Sequence, residues 1–373
     1  MCDVPALRFP EFTGEWSVKS ISDLANVIGG GTPDTTIKSY WNGNIQWFTP
    51  SEIGKTKYVE LSLRTITLEG LNNSNAKLLP PYTILLSSRA TVGECSIALQ
   101  ECATNQGFQS LIAKNCDIDF LYYLIQTKKK DLIRKACGST FLEISANEIR
   151  KIHTNVPSNA EQKKIGALLS LIDKRIETQN KIIEDLKKLK SAIYQEMFRS
   201  LVAQTLKLGQ VAEIVKGKQV NGTELLERGE YYVMNGGTLP SGWLNKYNTE
   251  ANTISISEGG NSCGYVQYNT SRYWSGGHCY SLKILHPQET SDLYLYHFLK
   301  WQEENIMALR IGSGLPNIQK KDLLRFSIIL PTITQQNKIV SILSAIEEKV
   351  SCEISITQYF VKQKEYLLSQ LFI

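Results

Sequence analysis

The sequence predicts a mixed α/β (α+β) fold built twice: two tandem globular units separated by two long antiparallel coiled-coil helices, with pseudo-two-fold symmetry. Three observations predict it. The segment Gly138 to Phe198 aligns without a gap on Gly312 to Phe372: Gly138-Ser139 falls on Gly312-Ser313, Pro157 on Pro331, Gln162 on Gln336, Leu169 on Leu343 and Phe198 on Phe372. Each copy carries an apolar stripe at helical spacing that no proline interrupts. Each copy follows a stretch of short β-rich runs divided by glycine turns. A repeated unit of this kind suits a ligand with two similar halves, and duplex DNA is the commonest such ligand.

The first unit, residues 1–156, has β-rich runs at Ile45-Gln46-Trp47-Phe48, Thr83-Ile84-Leu85-Leu86 and Gln109-Ser110-Leu111-Ile112. A helical stretch is expected near Phe120 to Lys135. The first long helix, within 157–200, opens after Pro157, where Ser158 and Glu161 form a capping-box pattern. Its stripe runs through Ile165, Leu168, Leu169, Ile172, Ile176, Ile182, Ile183, Leu186, Leu189 and Ile193. A helix reaching Phe198 is a rod of roughly 60 Å at about 1.5 Å per residue.

The second unit, 201–330, repeats the plan with Tyr231-Tyr232-Val233-Met234, Thr253-Ile254-Ser255-Ile256, Ser281-Leu282-Lys283-Ile284 and a helical stretch near Leu293 to Leu309. The closing helix, 331–373, has the same kind of cap in Thr332 and Gln335 and a stripe through Ile339, Ile342, Leu343, Ile346, Val350, Ile354, Phe360, Leu367, Leu368 and Leu371. A long rod with one apolar face cannot stand alone in water, so each helix is expected to pack on the other.

Composition narrows the function. At 373 residues with 42% apolar and 21% charged content, the chain is an ordinary globular protein of two to three domains. No run approaches the ~20 apolar residues of a membrane span, and the start has no export-signal pattern, so a cytoplasmic protein is expected. Eight scattered cysteines form no C-x-x-C pair and read as reduced thiols. The four histidines lack metal-ligand spacing, so no metal site is expected. A net charge of +5 permits a polyanionic partner without requiring one.

No catalytic pattern emerges. A P-loop is missing, as are the tetrapeptide and glycine-rich cofactor loop of amino-methyltransferases and a nuclease-like carboxylate cluster. Gly29-Gly30-Gly31-Thr32-Pro33 reads as a turn, because its proline prevents a helix from opening there as a phosphate cradle.

Recognition chemistry is better represented. Ser87, Ser88, Arg89 and Thr91 follow a strand in the first unit, as Ser257 and Asn261 do in the second. These residues offer hydroxyls, an amide and a guanidinium to base edges and phosphates, although a plain solvated turn has the same composition. Asn105, Gln106 and Gln109 in the first unit correspond to the turn around His278 in the second; side-chain amides beside a glycine can pair with adenine. Arg134 with Ser139, and Arg310 with Ser313 and Asn317, place basic and polar groups beside glycines, a combination suited to phosphate. The run Lys128-Lys129-Lys130 is either a phosphate contact or a solvated face. The residues assigned to helix packing and partner docking are Ile165, Leu169, Ile172, Ile176, Leu186, Ile339, Leu343, Ile346, Val350 and Phe360.

In combination these features resemble the specificity subunit of type I restriction-modification systems. The motifs that carry the resemblance are a Gly-Ser, a proline, an (E/Q)-Q-x-x-I helix start (Glu161-Gln162, Gln335-Gln336) and a Met- or Leu-Phe end, all repeated once. The usual Pro-Pro before each helix is here Pro157-Ser158 and Pro331-Thr332. The resemblance implies two target recognition domains, each reading one half of a bipartite, asymmetric sequence in double-stranded DNA. It implies helices that fix the unspecified gap and dock two modification (methyltransferase) subunits, with restriction subunits joining the assembly. It implies no catalysis and no cofactor in this chain, with S-adenosylmethionine, ATP and Mg in the partners. Two alternatives stand beside it: a DNA-binding specificity factor for a different methyltransferase-nuclease partner, and a coiled-coil adaptor whose units bind proteins.

Overall fold

The computed structural model describes residues 4–138, 142–312, 314 and 316–373. The chain divides into two compact units, Met1–Lys181 with Ser355–Ile373, and Ile182–Ile354. The first long helix spans Asn159–Arg199 and the second Ile333–Leu371, so each unit owns a piece of both.

The first unit holds β1 (Ser17–Ser20), β2 (Ala25–Gly29), β3 (Trp41–Phe48), β4 (Tyr58–Val59), β5 (Arg64–Ile66), β6 (Ile84–Leu86), β7 (Cys95–Ala98), β8 (Cys102–Thr104), β9 (Gln109–Ala113) and β10 (His153–Val156). Its main sheet has the order β2-β9-β6-β7-β4, antiparallel except for the parallel β7–β4 pair. A second sheet, β5-β3-β8, pairs β3 with β8 in parallel. The β1–β10 ribbon ties the unit's two ends together. The continuous apolar run of β6 reflects burial of both faces: Ile84 and Leu86 join one core with Phe120 and Leu124, whereas Leu85 joins another with Phe48 and Phe108.

The second unit holds β11 (Gln204–Lys207), β12 (Ala212–Lys216), β13 (Tyr231–Met234), β14 (Trp243–Leu244), β15 (Thr253–Ser257), β16 (Val266–Asn269), β17 (Trp274–Ser275), β18 (Cys279–Ile284) and β19 (Ser327–Leu330). Its orders, β12-β18-β15-β16 and β14-β13-β17 with a β11–β19 ribbon, repeat the first unit without the edge strand β4. The six β-rich runs read from the sequence lie in β3, β6, β9, β13, β15 and β18. Each expected single helical stretch is broken in two: Ile118–Thr127 and Lys129–Lys135, and Asp292–Trp301 and Glu303–Met307.

Each long helix is fastened to its own unit by a buried glutamine. Gln162 Oε1 accepts from the backbone N–H of Asp117 at 3.0 Å, and its Nε2 donates to Pro157 O at 3.0 Å. Gln336 does the same to Ser291 N–H and Pro331 O, both at 2.8 Å, and reaches Glu289 O as well. Asp117 and Ser291 are the N-caps of Ile118–Thr127 and Asp292–Trp301. One amide therefore joins the start of a long helix to the start of a core helix in both copies. The neighbouring position differs. Gln335 completes a reciprocal cap with Thr332. Glu161 is drawn away from Ser158 into a bidentate pair with Arg8, both contacts at 2.8 Å.

In both units the helices run antiparallel. In the first, Asp173 pairs with Lys364 at 2.7 Å and Arg175 lies over the Phe360 ring. In the second, Lys190 pairs with Glu347 at 2.6 Å, and Phe198 shares a core with Ile339 and Leu343. Tyr123 donates to Asp173 at 2.6 Å at the position His297 takes in the second copy, where Tyr194 OH lies 2.6 Å from His297 Nδ1. The apolar stripe is less buried than its periodicity suggests. Ile165, Leu169, Ile339 and Leu343 are core, while Ile172, Ile176, Leu186, Ile346, Val350 and Phe360 are half-buried. Ile182, Leu189, Ile342 and Ile354 are exposed.

Gln336→Ala leaves buried polar groups at Ser291 and Pro331 without their partner and should cost about 1–3 kcal/mol in urea unfolding, as should Gln162→Ala. His297 is fully buried, and desolvation lowers its pKa to about 4 against an opposing pull from Glu347. The unfolded chain therefore takes up the proton first, and stability falls as pH drops from about 6.5 toward 4, by an amount on the order of 3 kcal/mol. His297→Asn should flatten that part of the unfolding-versus-pH curve.

Candidate nucleic-acid interface

In the first unit the chain leaves β6 and meets two other loops through the backbone. Ser88 N–H donates to Gly107 O at 2.8 Å, Gly93 N–H to Ser87 O at 3.0 Å, Ala90 N–H to Leu142 O at 3.1 Å and Ile144 N–H to Ser88 O at 2.9 Å. Cys137 and Glu143 bond reciprocally at 2.9 Å. In the second unit the chain leaves β15 and makes the same set. Glu258 N–H donates to His278 O at 2.9 Å, Gly264 N–H to Ser257 O at 2.8 Å, Gly260 N–H to Pro316 O at 3.0 Å and Ile318 N–H to Glu258 O at 2.8 Å. Ile311 and Asn317 bond reciprocally at 2.9 and 3.0 Å. Three loops at one end of the main sheet thus form a repeated frame, and it gathers most of the sequence-selected candidates.

The frame separates those candidates by exposure. Arg89, Thr91, Gln106, Arg134, Asn261, His278, Arg310 and Asn317 present surface to solvent. Arg89 lies 3.9 Å from Glu143, and Arg134 is bonded to Asp131 at 2.7 Å. Asn105 is half-buried and its Oδ1 accepts from Gly107 N–H, closing its own turn. Gln106 is bonded to Thr32.

Burial corrects three assignments. Ser87 is buried and bonded to Thr91 at 2.9 Å, and Ser257 is buried against Gly236 O. Both hydroxyls brace the frame and offer nothing to a groove. Ser88 is fully buried, and its Oγ has no protein partner. Gln109 is half-buried, with Oε1 likewise unpartnered. Ser139 and Ser313 lie outside the described residues. Of the lysine run, Lys128 donates to Ile373 O at 3.0 Å and Lys129 pairs with Glu94, so only Lys130 remains an exposed cation without such a tie.

Sequence reasoning missed a charged cluster in the second unit. Glu258, 6% exposed, accepts from Lys216 Nζ and from Tyr280 OH, each at 2.8 Å, and its Oε2 lies 4.0 Å from His278 Nδ1. Burial and the Glu258 charge push the Tyr280 pKa upward, so this phenol stays a donor. Strand pairing places Lys216 opposite Tyr280, as Gly29 lies opposite Gln109 in the first unit. The available signal was positional: Lys216 precedes Gly217 as Gly29 precedes Gly30. Among the described residues no group of His, Cys, Asp and Glu could hold a metal ion.

The loops after β2 and β12 press against the frame. A Cβ on Gly30 would lie 2.0 Å from Asn105 O, and one on Gly217 would lie 2.1 Å from Gly276 O. Gly30→Ala and Gly217→Ala should each destabilise by about 1–3 kcal/mol. Hydrogen exchange should show faster opening at Thr104 to Gln109 for the first variant and at Ser275 to Tyr280 for the second, each confined to its own unit.

A family model for the type I restriction modification DNA specificity domain matches residues 13–188 and 203–358. The type I restriction enzyme MjaIX specificity subunit of Methanocaldococcus jannaschii is 38% identical over 189 residues, 49% of this chain and 44% of that protein. The match thus spans less than half of that relative's length. The EcoprrI specificity subunit of Escherichia coli is 24% identical over 348 residues, 87% of this chain and 85% of that one. The fold is similar to a type I restriction-modification S subunit from M. genitalium, with a TM-score of 0.68 at 19% identity over 99% of both chains.

Proposed function

Because the chain belongs to the family of type I restriction modification DNA specificity domains, we propose that it is the DNA-sequence specificity subunit of a type I restriction-modification complex. It binds a bipartite, asymmetric duplex target, one half to each unit, and docks two methyltransferase subunits and the restriction subunits. The observation that carries this reading is the repeated loop frame. Two units hold three loops in the same hydrogen-bonded arrangement yet dress them with different side chains, Ser88 and Gln109 in one and Glu258 and Tyr280 in the other. A scaffold kept constant beneath changing polar groups is what reading two unlike half-sites requires.

The chain itself catalyses no step in this reading. S-adenosylmethionine, ATP and Mg belong to the partner subunits. The protein works in the cytoplasm, where its DNA is; among the described residues no helix is long and apolar enough to cross a membrane. Leu171, Leu189, Ile342, Tyr359 and Tyr366 are exposed along the long helices and are the apolar contacts for the methyltransferase subunits.

The long helices set the gap between half-sites. Adding four residues to each, about 6 Å of helix, corresponds to nearly two base-pair steps of about 3.4 Å. Methylation mapping in cells that also carry the methyltransferase should then return the same half-sites with a longer gap. Replacing residues 16–156 by the corresponding segment of a relative should change one half-site only. An unchanged gap in the first experiment, or two changed half-sites in the second, contradicts the assignment.

A further inference from the structure

We propose that Lys216, held in place by the buried carboxylate of Glu258, reads a guanine in the half-site bound by the second unit. The inference rests on the specificity-subunit reading and adds the residue and the base.

Lys216 ends β12 at the rim of the loop frame, with its side chain 55% exposed. Its ammonium gives one N–H to Glu258 Oε1 at 2.8 Å, and an ammonium has three donors and no acceptor. The two remaining N–H groups suit an edge that presents adjacent acceptors. In the major groove guanine offers O6 and N7, whereas adenine sets a donor beside its one acceptor.

The carboxylate behind the ammonium decides between a base and a phosphate. Glu258 is buried, fixed by Tyr280 OH and by the backbone bonds of the frame, and it offsets the charge of Lys216 locally. An anion held 2.8 Å away weakens attraction to a phosphate. The same anion limits the rotamers of a flexible side chain and aims its free donors at a neutral edge. Glu258 is therefore a positioning residue, and Lys216 is the specificity-determining one. The first unit has Gly29 and Ser88 at the equivalent positions, so it lacks this reader, and its half-site is independent of the device.

The test uses the full chain with its methyltransferase subunits, selected on a randomised duplex library, with the bound DNA sequenced. Wild-type protein should return a bipartite motif with a guanine in the half assigned to the second unit by exchange of residues 16–156. Lys216→Gln should relax preference at that one position and lower affinity for the original site on the order of tenfold to a hundredfold, leaving the other half unchanged. Glu258→Gln should loosen the same position although Lys216 is present. The exposed Lys216 variant leaves the core untouched, so a Glu258 variant that fails to fold leaves the test intact. Uniform weakening across all sequences with a shallower salt dependence identifies a phosphate contact and overturns the proposal. A motif that Lys216→Gln leaves unchanged overturns it too, as does a second half-site without guanine. A wild-type library without any motif instead defeats the specificity reading on which this one stands.

Discussion

Two buried glutamine amides hold the architecture together. Gln162 and Gln336 each satisfy an N–H at the start of a core helix and a carbonyl at the proline before a long helix. A buried amide with both ends bonded fixes direction as well as distance, because losing either bond strands a polar group away from water. The long helices thus leave their globular units at a set position in both copies, and the paired charges Asp173–Lys364 and Lys190–Glu347 sit at matching points of the repeat.

Above that common base the halves diverge in a controlled way. The backbone bonds among the three loops are repeated nearly one for one, whereas the side chains on them are not. Ser88 and Gln109 leave buried polar atoms unpaired in the first unit, and Lys216, Glu258 and Tyr280 fill the equivalent corner with a bonded charged cluster in the second. Backbone hydrogen bonds do not depend on side-chain identity, so the frame tolerates replacement of its surface groups. The two caps differ as well: Glu161 pairs with Arg8, whereas Gln335 closes a reciprocal cap with Thr332.

Much of this was legible in the sequence. The ungapped repeat, the positions of both long helices and the six β-rich runs follow from short-range periodicity, which each residue's near neighbours determine. The candidate loops come together in one hydrogen-bonded frame, but the sequence does not sort their polar residues by exposure. Ser87, Ser88 and Ser257 look as available as Arg89 and Asn261 on paper, yet they point inward once β6 and β15 are paired on both sides. The Lys216–Glu258 contact is not visible in the sequence, because its partners lie more than forty residues apart along the chain. Ile182, Leu189, Ile342 and Ile354 share the helical period of the stripe, yet they are exposed.

The sequence alone therefore determined the doubled plan, the helices and the strands, because hydrophobic period and capping act over a few residues. Only the tertiary structure decided which polar groups face solvent and which brace the frame. That choice rests on strand pairing and on contacts between distant loops, where a shift of one residue exchanges inside for outside.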